Sequence, residues 1–309
     1  WGAWAIYGLG SMNRNLPAYV VLADPGGLPV DGVKNWTSGW LPAAYQGTPF
    51  RPGDSPVVNL STPAGVTPGA RSRLLRYLEQ LNRGHLEQYA GNAELEARIT
   101  NFEIAARMQS AVPEALDLSK ELPETRRMYG LDNPETAEYA RRCIIARRLV
   151  ERGVRFVQLF LAGQPWDTHS NNSNSLRSLC QSTDLPVHGL LTDLKQRGLL
   201  DDTLVIWGGE FGRTNYCQGN LNVNNYGRDH HPKCYSIWMA GGGVKPGITY
   251  GETDEFGYNI AKDPVHVNDF HATVLQLLGL DHEKLIFKHL GRRYRLTDVG
   301  GRVVKPILA

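Results

Sequence analysis

The chain has 309 residues, of which 41% are hydrophobic and 21% are charged, so it carries enough apolar material for a sizeable core, and wholesale disorder is excluded. The 33 Lys and Arg residues nearly balance the 31 Asp and Glu residues, which gives a net charge of +2. A chain this close to neutrality has no electrostatic case for nucleic acid or an anionic membrane surface as its main partner. The sequence contains no apolar run of about 18 residues, so no membrane-spanning helix is predicted.

The four cysteines are compatible with two redox states. No two of them form a Cys-x-x-Cys pair, which argues against a zinc ribbon. Two disulfides would suit an exported protein, whereas four free thiols would suit a cytosolic one. The cysteine count leaves both states open.

The beginning of the chain predicts short elements that surround an irregular segment. Residues 1–11 predict a short helix that ends at Gly8 or Gly10. Residues 18–23 form a short apolar run that is typical of a buried strand. Residues 25–68 contain eight of the 18 prolines, so we expect ordered irregular chain there rather than long helices or central strands.

The segment from 70 to 150 is predicted to be helical. Apolar residues at helical spacing predict one or two amphipathic helices across residues 70–112 that pack on the core. This stripe consists of Leu74, Leu78, Leu81, His85 and Tyr89. A third helix is expected to begin after Asn133-Pro134, because Asn can cap it and Pro suits a first helical turn, and to end near Gly153.

The second half of the chain alternates predicted strands and helices. The predicted strands are residues 154–161, 203–207 and 235–240. The predicted helices are residues 176–197 and a helix capped by Asn268 that ends at Leu278. Short apolar strands that alternate with helices are typical of an α/β fold with a mostly parallel central sheet between helices.

Polar side chains cluster beside each of these predicted strands. In open parallel sheets, ligands bind beyond the carboxyl ends of the strands, so we expect these clusters to lie at one edge of the sheet. The residues are Asp167 and His169 after the first strand, Glu210 and Arg213 after the second, and Asp229, His230 and His231 before the third.

The pair Asp167 and His169 predicts half of a metal site. The two residues lie two apart just past a strand, so in extended chain they point to the same side. A carboxylate and an imidazole on one side suit zinc or another divalent metal, and Asp229, His230 and His231 can supply the other half. The alternative is that Asp167 caps a turn and His169 is a structural histidine.

Glu210 and Arg213 are the candidate catalytic residues. Glu210 follows two glycines directly after a strand, where its carboxylate can ligate a metal or act as a general base. The planar guanidinium of Arg213 suits phosphate or sulfate oxygens, which it can bind with two hydrogen bonds. The alternative is structural: Arg213 forms a salt bridge with Glu210 or Asp229. The absence of a Gly-x-Ser-x-Gly motif from the sequence argues against an ordinary α/β-hydrolase.

Five segments of the sequence resemble a known family. They are WDTHSNN, LLTDLKQRGLLDDTLVIWGGEFGRT, GRDHHP, WMAGGGVKPGITYGETDEFGY and VNDFHATVLQLLGLDHEKL. The chain resembles, over nearly its whole length, a large bacterial family of sulfatase-like proteins of unknown function in the alkaline phosphatase-like superfamily. The resemblance implies a single α/β domain over residues 1–309, with the metal-site half of the core at 154–280 and hydrolysis of phosphate or sulfate esters by a side-chain nucleophile.

The resemblance also implies roles for individual residues. Asp167 and His169 stand at the family's WDxH motif and are expected to be metal ligands. His230 or His231, in the DHH motif, is expected to be a further ligand. Glu210 occupies the place of the superfamily's Asp-His-Gly motif.

Two departures from the superfamily pattern bear on activity. Phe211 stands where the Asp-His-Gly motif has its histidine, which puts a full two-zinc site in doubt. The superfamily's first strand, with its metal-binding Asp, and the nucleophile that follows it are expected before residue 1. The chain is therefore expected to be truncated at its N-terminus, and its activity as this fragment is an open question.

These observations combine into one functional expectation. We predict a metal-dependent hydrolase of phosphate or sulfate esters, with zinc as the first choice of metal and calcium, magnesium or manganese as alternatives. The expected substrate is a small anionic ester, and the family resemblance implies an exported protein in the periplasm or outside the cell. The alternative is a non-catalytic ligand-binding or scaffold protein on the same fold, which Phe211 and the missing start favour.

Overall fold

A computed structural model describes residues 1–53, 56–57, 65–223 and 225–309. The chain divides into two compact units. The first unit is Trp1–Lys120 with Arg148–Ala162, and the second is Glu121–Arg147 with Gly163–Ala309. The organisation as one domain over residues 1–309 stays a prediction.

The first unit is built on a three-stranded parallel sheet. Its strands are β1 (Tyr19–Leu22), β2 (Thr48–Phe50) and β3 (Phe156–Leu159), in the order β2-β1-β3. Val20 of the central strand pairs with Thr48 on one side and with Val157 on the other. All four residues of β1 are buried, as their uniform apolar character predicts. The strands expected at 18–23 and 154–161 are confirmed, and the fold class is mixed α/β.

A short N-terminal helix packs on this sheet. Helix α1 (Gly2–Leu9) ends at Gly10, whose φ of 61° is the left-handed conformation that favours glycine, so the predicted helix is confirmed. Ile6 of this helix joins a cluster with Tyr19, Val21 and Trp36. Within the described part of 25–68, the backbone forms the short 3₁₀ turns Gly32–Trp36 and Ala43–Tyr45 and strand β2 before a long helix begins at Pro68, as expected for a proline-rich segment. Residues 54–55 and 58–64 of that segment lie outside the described residues.

Two long helices follow in the first unit, α2 (Pro68–Gln88) and α3 (Ala93–Leu116). The side chain of Thr67 caps the first and that of Asn92 caps the second. The expectation that the leucine stripe of α2 packs on the core is wrong, because Leu74 and Leu81 are 54% and 51% exposed. Helical periodicity shows which face of a helix is apolar, but it does not show whether another element covers that face.

The second unit contains most of the remaining helices. They are α4 (Pro123–Tyr129), α5 (Ala137–Glu151, whose last residues belong to the first unit), α6 (Asn172–Gln196) and α7 (Val267–Leu277). Helix α6 begins four residues before the predicted start. The cap of α7 is His266 rather than the expected Asn268: His266 Nδ1 accepts from the backbone N–H of Asn268 at 3.1 Å, and the Asp269 carboxylate accepts from the N–H of His266 at 3.2 Å.

The strands of the second unit form antiparallel pairs. These are β4 (Val205–Gly208) with β7 (Ile237–Ala240), β5 (Gly212–Arg213) with β6 (His230–His231), β8 (Glu252–Thr253) with β9 (Ile260–Lys262), and β10 (Phe287–His289) with β11 (Arg292–Tyr294). The expected parallel sheet through 154–161, 203–207 and 235–240 is therefore wrong for the described residues, because β3 pairs with β1 and β4 runs antiparallel to β7. A short apolar strand favours a parallel sheet, but it does not by itself determine the direction of its partner strand.

A buried cluster of charges ties the helices of the second unit together. Arg147 pairs with Glu121 at 2.7 Å and with Asp193 at 2.9 Å, and all three side chains are at most 5% exposed. The hydroxyl of Tyr129 donates to Asp193 at 3.0 Å. Arg197, which is partly exposed, contacts the other oxygen of Asp193 at 2.6 Å. The buried carboxylates are thus compensated by cations and hydrogen bonds, as burial of charge requires.

Two further expectations concern cysteines and membranes. The four cysteines, all within the described residues, are free thiols, so of the two redox states the structure shows the reduced one. In the part of the chain that the structure describes, none of the helices combines the length and the apolar character needed to cross a membrane.

Candidate metal centre

Three side chains of the second unit converge on one point. The ligand atoms of Asp167, His169 and His230, which we call the metal triad, all lie within 4.8 Å of one another. Oδ1 of Asp167 lies 2.8 Å from Nε2 of His169 and 2.9 Å from Nε2 of His230. The Asp167 side chain is 5% exposed, whereas the imidazoles are 36% and 39% exposed. A carboxylate and two imidazoles form a ligand set for a divalent metal that leaves a further position open toward solvent.

Backbone hydrogen bonds bring the two halves of the triad together. The loop before β6 runs along the segment that contains Asp167: the N–H of Arg228 donates to the carbonyl of Thr168 at 2.9 Å, and the N–H of Asn172 donates to the carbonyl of Tyr226 at 2.9 Å. These bonds hold two chain segments about 60 residues apart in a fixed register. The triad is therefore held together by paired loops, and not by the carboxyl ends of strands in one parallel sheet, as the sequence predicted.

Two glycines allow this close approach. A Cβ atom at Gly227 would lie 1.9 Å from the carbonyl carbon of His169, and a Cβ at Gly212 would lie 1.4 Å from the carbonyl oxygen of Cys234. No side chain fits at either distance, so only glycine permits the backbones to pack there. The first contact sets the loop against His169, and the second sets β5 against the turn that follows β6.

Strand alternation decides which histidine of the DHH motif joins the triad. In the ladder between β5 and β6, Arg213 pairs with His230 and Gly212 pairs with His231. Successive side chains of a strand point to opposite faces, so His230 and His231 cannot face the same point. The imidazole of His231 instead lies 3.0 Å from the carbonyl oxygen of Tyr258. The sequence left His230 and His231 as alternatives, and the structure brings His230 to the triad.

The other two expected metal ligands lie outside the triad. The Asp229 carboxylate accepts from the backbone N–H of His230 at 2.7 Å, which is a local turn contact. The Glu210 side chain is 56% exposed, and its Oε1 accepts from Nη2 of Arg213 at 2.7 Å. Glu210 therefore forms the salt bridge with Arg213 that the sequence analysis gave as the structural alternative.

Arg213 is held by two carboxylates. Its Nη1 contacts Oδ1 of Asp167 while its Nη2 binds Glu210, so both ends of the guanidinium fork are engaged. Burial acts to raise the pKa of Asp167, but the hydrogen bond from His230 and the positive charge of Arg213 together outweigh it and hold that pKa below its usual value. Asp167 is consequently ionised at neutral pH, as a metal ligand must be. The sequence predicted that the Arg213 guanidinium binds a substrate oxyanion, but in the structure it binds Asp167 and Glu210.

The hydrogen bonds around Asp167 leave one nitrogen without a partner. Nδ1 of His169 is buried and has no hydrogen-bond partner among the described residues. Leaving such a group unsatisfied costs about 1–3 kcal/mol. A water or ligand that hydrogen-bonds to this nitrogen would offset that cost.

Aromatic rings support the exposed side of the triad. The ring of Phe211 stacks on the imidazole of His230 with centroids 4.9 Å apart and planes inclined by 5°. Trp166, next to Asp167 in the chain, contacts Trp207 edge to face at 5.5 Å, and Trp207 stacks on Trp238 of the neighbouring strand at 6.4 Å. The sequence identified Phe211 only as a departure from a motif, because the stack depends on the pairing of β5 with β6.

Comparison with known proteins identifies a family without adding an activity. The model of the family described as "Protein of unknown function (DUF1501)" matches residues 1–308. Neither the curated proteins nor the solved structures contain a match to the chain. Because the match covers almost all 309 residues, the chain belongs to the DUF1501 family.

Proposed function

We propose that this protein is a metal-dependent hydrolase domain for phosphate or sulfate esters. The observation that carries the proposal is the convergence of Asp167, His169 and His230, whose ligand atoms lie within 4.8 Å of one another. Catalytic zinc sites use three protein ligands and keep one position open, whereas structural sites use four. Zinc is the proposed metal because the set contains two imidazoles, whereas calcium and magnesium prefer oxygen ligands.

The residues around the triad suit ester chemistry. A bound divalent metal supplies Lewis acidity that polarises an ester oxygen. Asp167, His169 and His230 would hold it, and Arg213 pairs with the Asp167 carboxylate. Glu210, whose exposed carboxylate is paired with Arg213, is proposed to accept the proton of the side-chain nucleophile that the family resemblance implies.

The wider assignment depends on sequence resemblance. Resemblance to the sulfatase-like family supports an alkaline phosphatase-like core, a small anionic ester as substrate and a location outside the cytoplasm. The parallel order β2-β1-β3 in the first unit is compatible with such a core.

Metal analysis of purified protein tests the proposal. We expect about one zinc per chain in the wild type and in the control variant Asp184→Asn, which changes an exposed acid of α6. Asp167→Asn should lose the metal, because the amide keeps the shape of the side chain and removes its charge. The wild type should also hydrolyse 4-nitrophenyl phosphate or 4-nitrophenyl sulfate. A wild type that binds no metal and turns over neither ester would refute the proposal.

A second candidate is a non-catalytic binding protein on the same fold. The observation that favours it is the direct pairing of Arg213 with Asp167, which supplies the carboxylate with a cation from the protein itself. Metal stoichiometry unaffected by Asp167→Asn, together with absent turnover, would support this candidate over the hydrolase.

A further inference from the structure

A cavity of about 290 Å³ lies in the second unit beside the loop that carries His230. Its walls include Asn215, Tyr216, Leu221, Val223, Tyr226 and Arg228. This volume is near the lower end of the range for small-molecule sites and fits a compact organic group.

Chain connectivity places this cavity next to the metal triad. The β5–β6 ladder continues by one step, since the N–H of Thr214 donates to the carbonyl of Asp229 at 2.9 Å and the N–H of Asp229 donates to Oγ1 of Thr214 at 3.0 Å. Arg228 lies two residues before His230 in the chain. Its backbone N–H donates to the carbonyl of Thr168, the residue between Asp167 and His169, so a wall of the cavity and the triad share one stretch of paired backbone.

Arg228 offers a guanidinium for an anion, whereas that of Arg213 is engaged by carboxylates. Both ends of the Arg213 fork are bound to carboxylates. Arg228 is exposed, lines the cavity and makes no ion pair with any residue in the described part of the chain. A free planar guanidinium binds phosphate or sulfate oxygens with paired hydrogen bonds.

Apart from Asn215 and Cys217, the remaining side chains of the walls are aromatic or aliphatic. Tyr216 and Tyr226 contribute rings, and Leu221 and Val223 are 75% and 82% exposed at the rim. A flat apolar group in the cavity would remove these surfaces from water, which is the main source of affinity for such groups.

We propose that this cavity is the substrate subsite of the metal triad and that it takes phosphate or sulfate esters of aromatic alcohols. Arg228 binds the anionic oxygens, while the aromatic ring lies against Tyr226, Leu221 and Val223. This inference rests on the proposed function, because it assigns the substrate class of the same site.

Binding of two non-hydrolysable probes to the zinc-loaded full chain tests the inference. Isothermal titration calorimetry should show phenylphosphonate binding about tenfold tighter than methylphosphonate, because only the first carries an aromatic ring. Arg228→Met should weaken both probes about tenfold or more, because it removes charge-assisted hydrogen bonds. The control Arg293→Met, an exposed arginine of β11, should bind both as the wild type does. The double variant Leu221→Ser, Val223→Ser should lose the preference for the phenyl group.

Two results would overturn the inference, and only the second would also overturn the proposed function. If the zinc-loaded wild type binds both probes equally and Arg228→Met binds them unchanged, the cavity is not the subsite, while the proposed function stands. If the zinc-loaded wild type binds neither probe and hydrolyses neither nitrophenyl ester, the inference and the proposed hydrolase fail together.

Discussion

Removal of Arg147 is expected to destabilise the second unit strongly. Arg147 compensates Glu121 and Asp193, whose side chains are 5% and 4% exposed. Arg147→Met keeps much of the apolar volume but leaves two buried carboxylates without their shared cation. Breaking a buried ion pair from one side costs about 3–5 kcal/mol, so we expect a loss of that size in the free energy of unfolding. Arg197→Met is the matched control, with an expected loss of about 1 kcal/mol, because the Arg197 side chain is 36% exposed.

Urea denaturation at neutral pH, followed by tryptophan fluorescence and far-ultraviolet circular dichroism, measures both losses. The difference between the two variants is the informative quantity, since each removes one arginine that contacts Asp193. Equal unfolding free energies for Arg147→Met and Arg197→Met would refute the reasoning, because they would show that burial does not set the cost of the missing charge.

Two further predictions concern the loop before β6 and the response to acid. Gly227→Ala should abolish metal binding, because its methyl group would lie 1.9 Å from a backbone carbonyl carbon. The control Gly209→Ala, with no neighbouring atom nearer than 3.9 Å, should retain the metal content of the wild type. Bound metal in both variants would contradict the described loop packing. Burial lowers the pKa of His271 from 6.5 to about 4, so the unfolded chain binds more protons than the folded chain in this range. Stability should therefore decline as the pH falls from 6.5 to about 4, and a His271→Gln variant with an unchanged pH profile of unfolding free energy would contradict this.

Local sequence patterns predicted most helices and strands. Helix α1 and strand β1 lie where the apolar runs placed them, and α2 and α3 follow the helical spacing. The predictions were wrong where a property of a segment depends on a partner segment that is distant in the chain. The stripe of α2 is exposed, and β4 pairs antiparallel with β7, because neither coverage of a face nor the direction of a partner strand is encoded within the segment itself.

The candidate site also separates what a local sequence pattern predicts from what depends on a distant partner. The chemistry of Asp167 and His169 and their spacing of two residues were sufficient to predict that they share a side, and the structure brings them together. The sequence could not choose between His230 and His231, since both follow the same acid and have the same chemistry. That choice depends on the register of β5 against β6, which only the paired backbone defines.

The sequence by itself determined which kinds of side chain this protein offers and which segments carry them, because side-chain chemistry and backbone propensity are local properties. Tertiary structure alone decided their partners. It bound Arg213 to Asp167 and Glu210, left Arg228 beside a cavity and stacked Phe211 on the ring of His230. Such pairings depend on distances between segments remote in the chain, and these distances are fixed only when the loops pack.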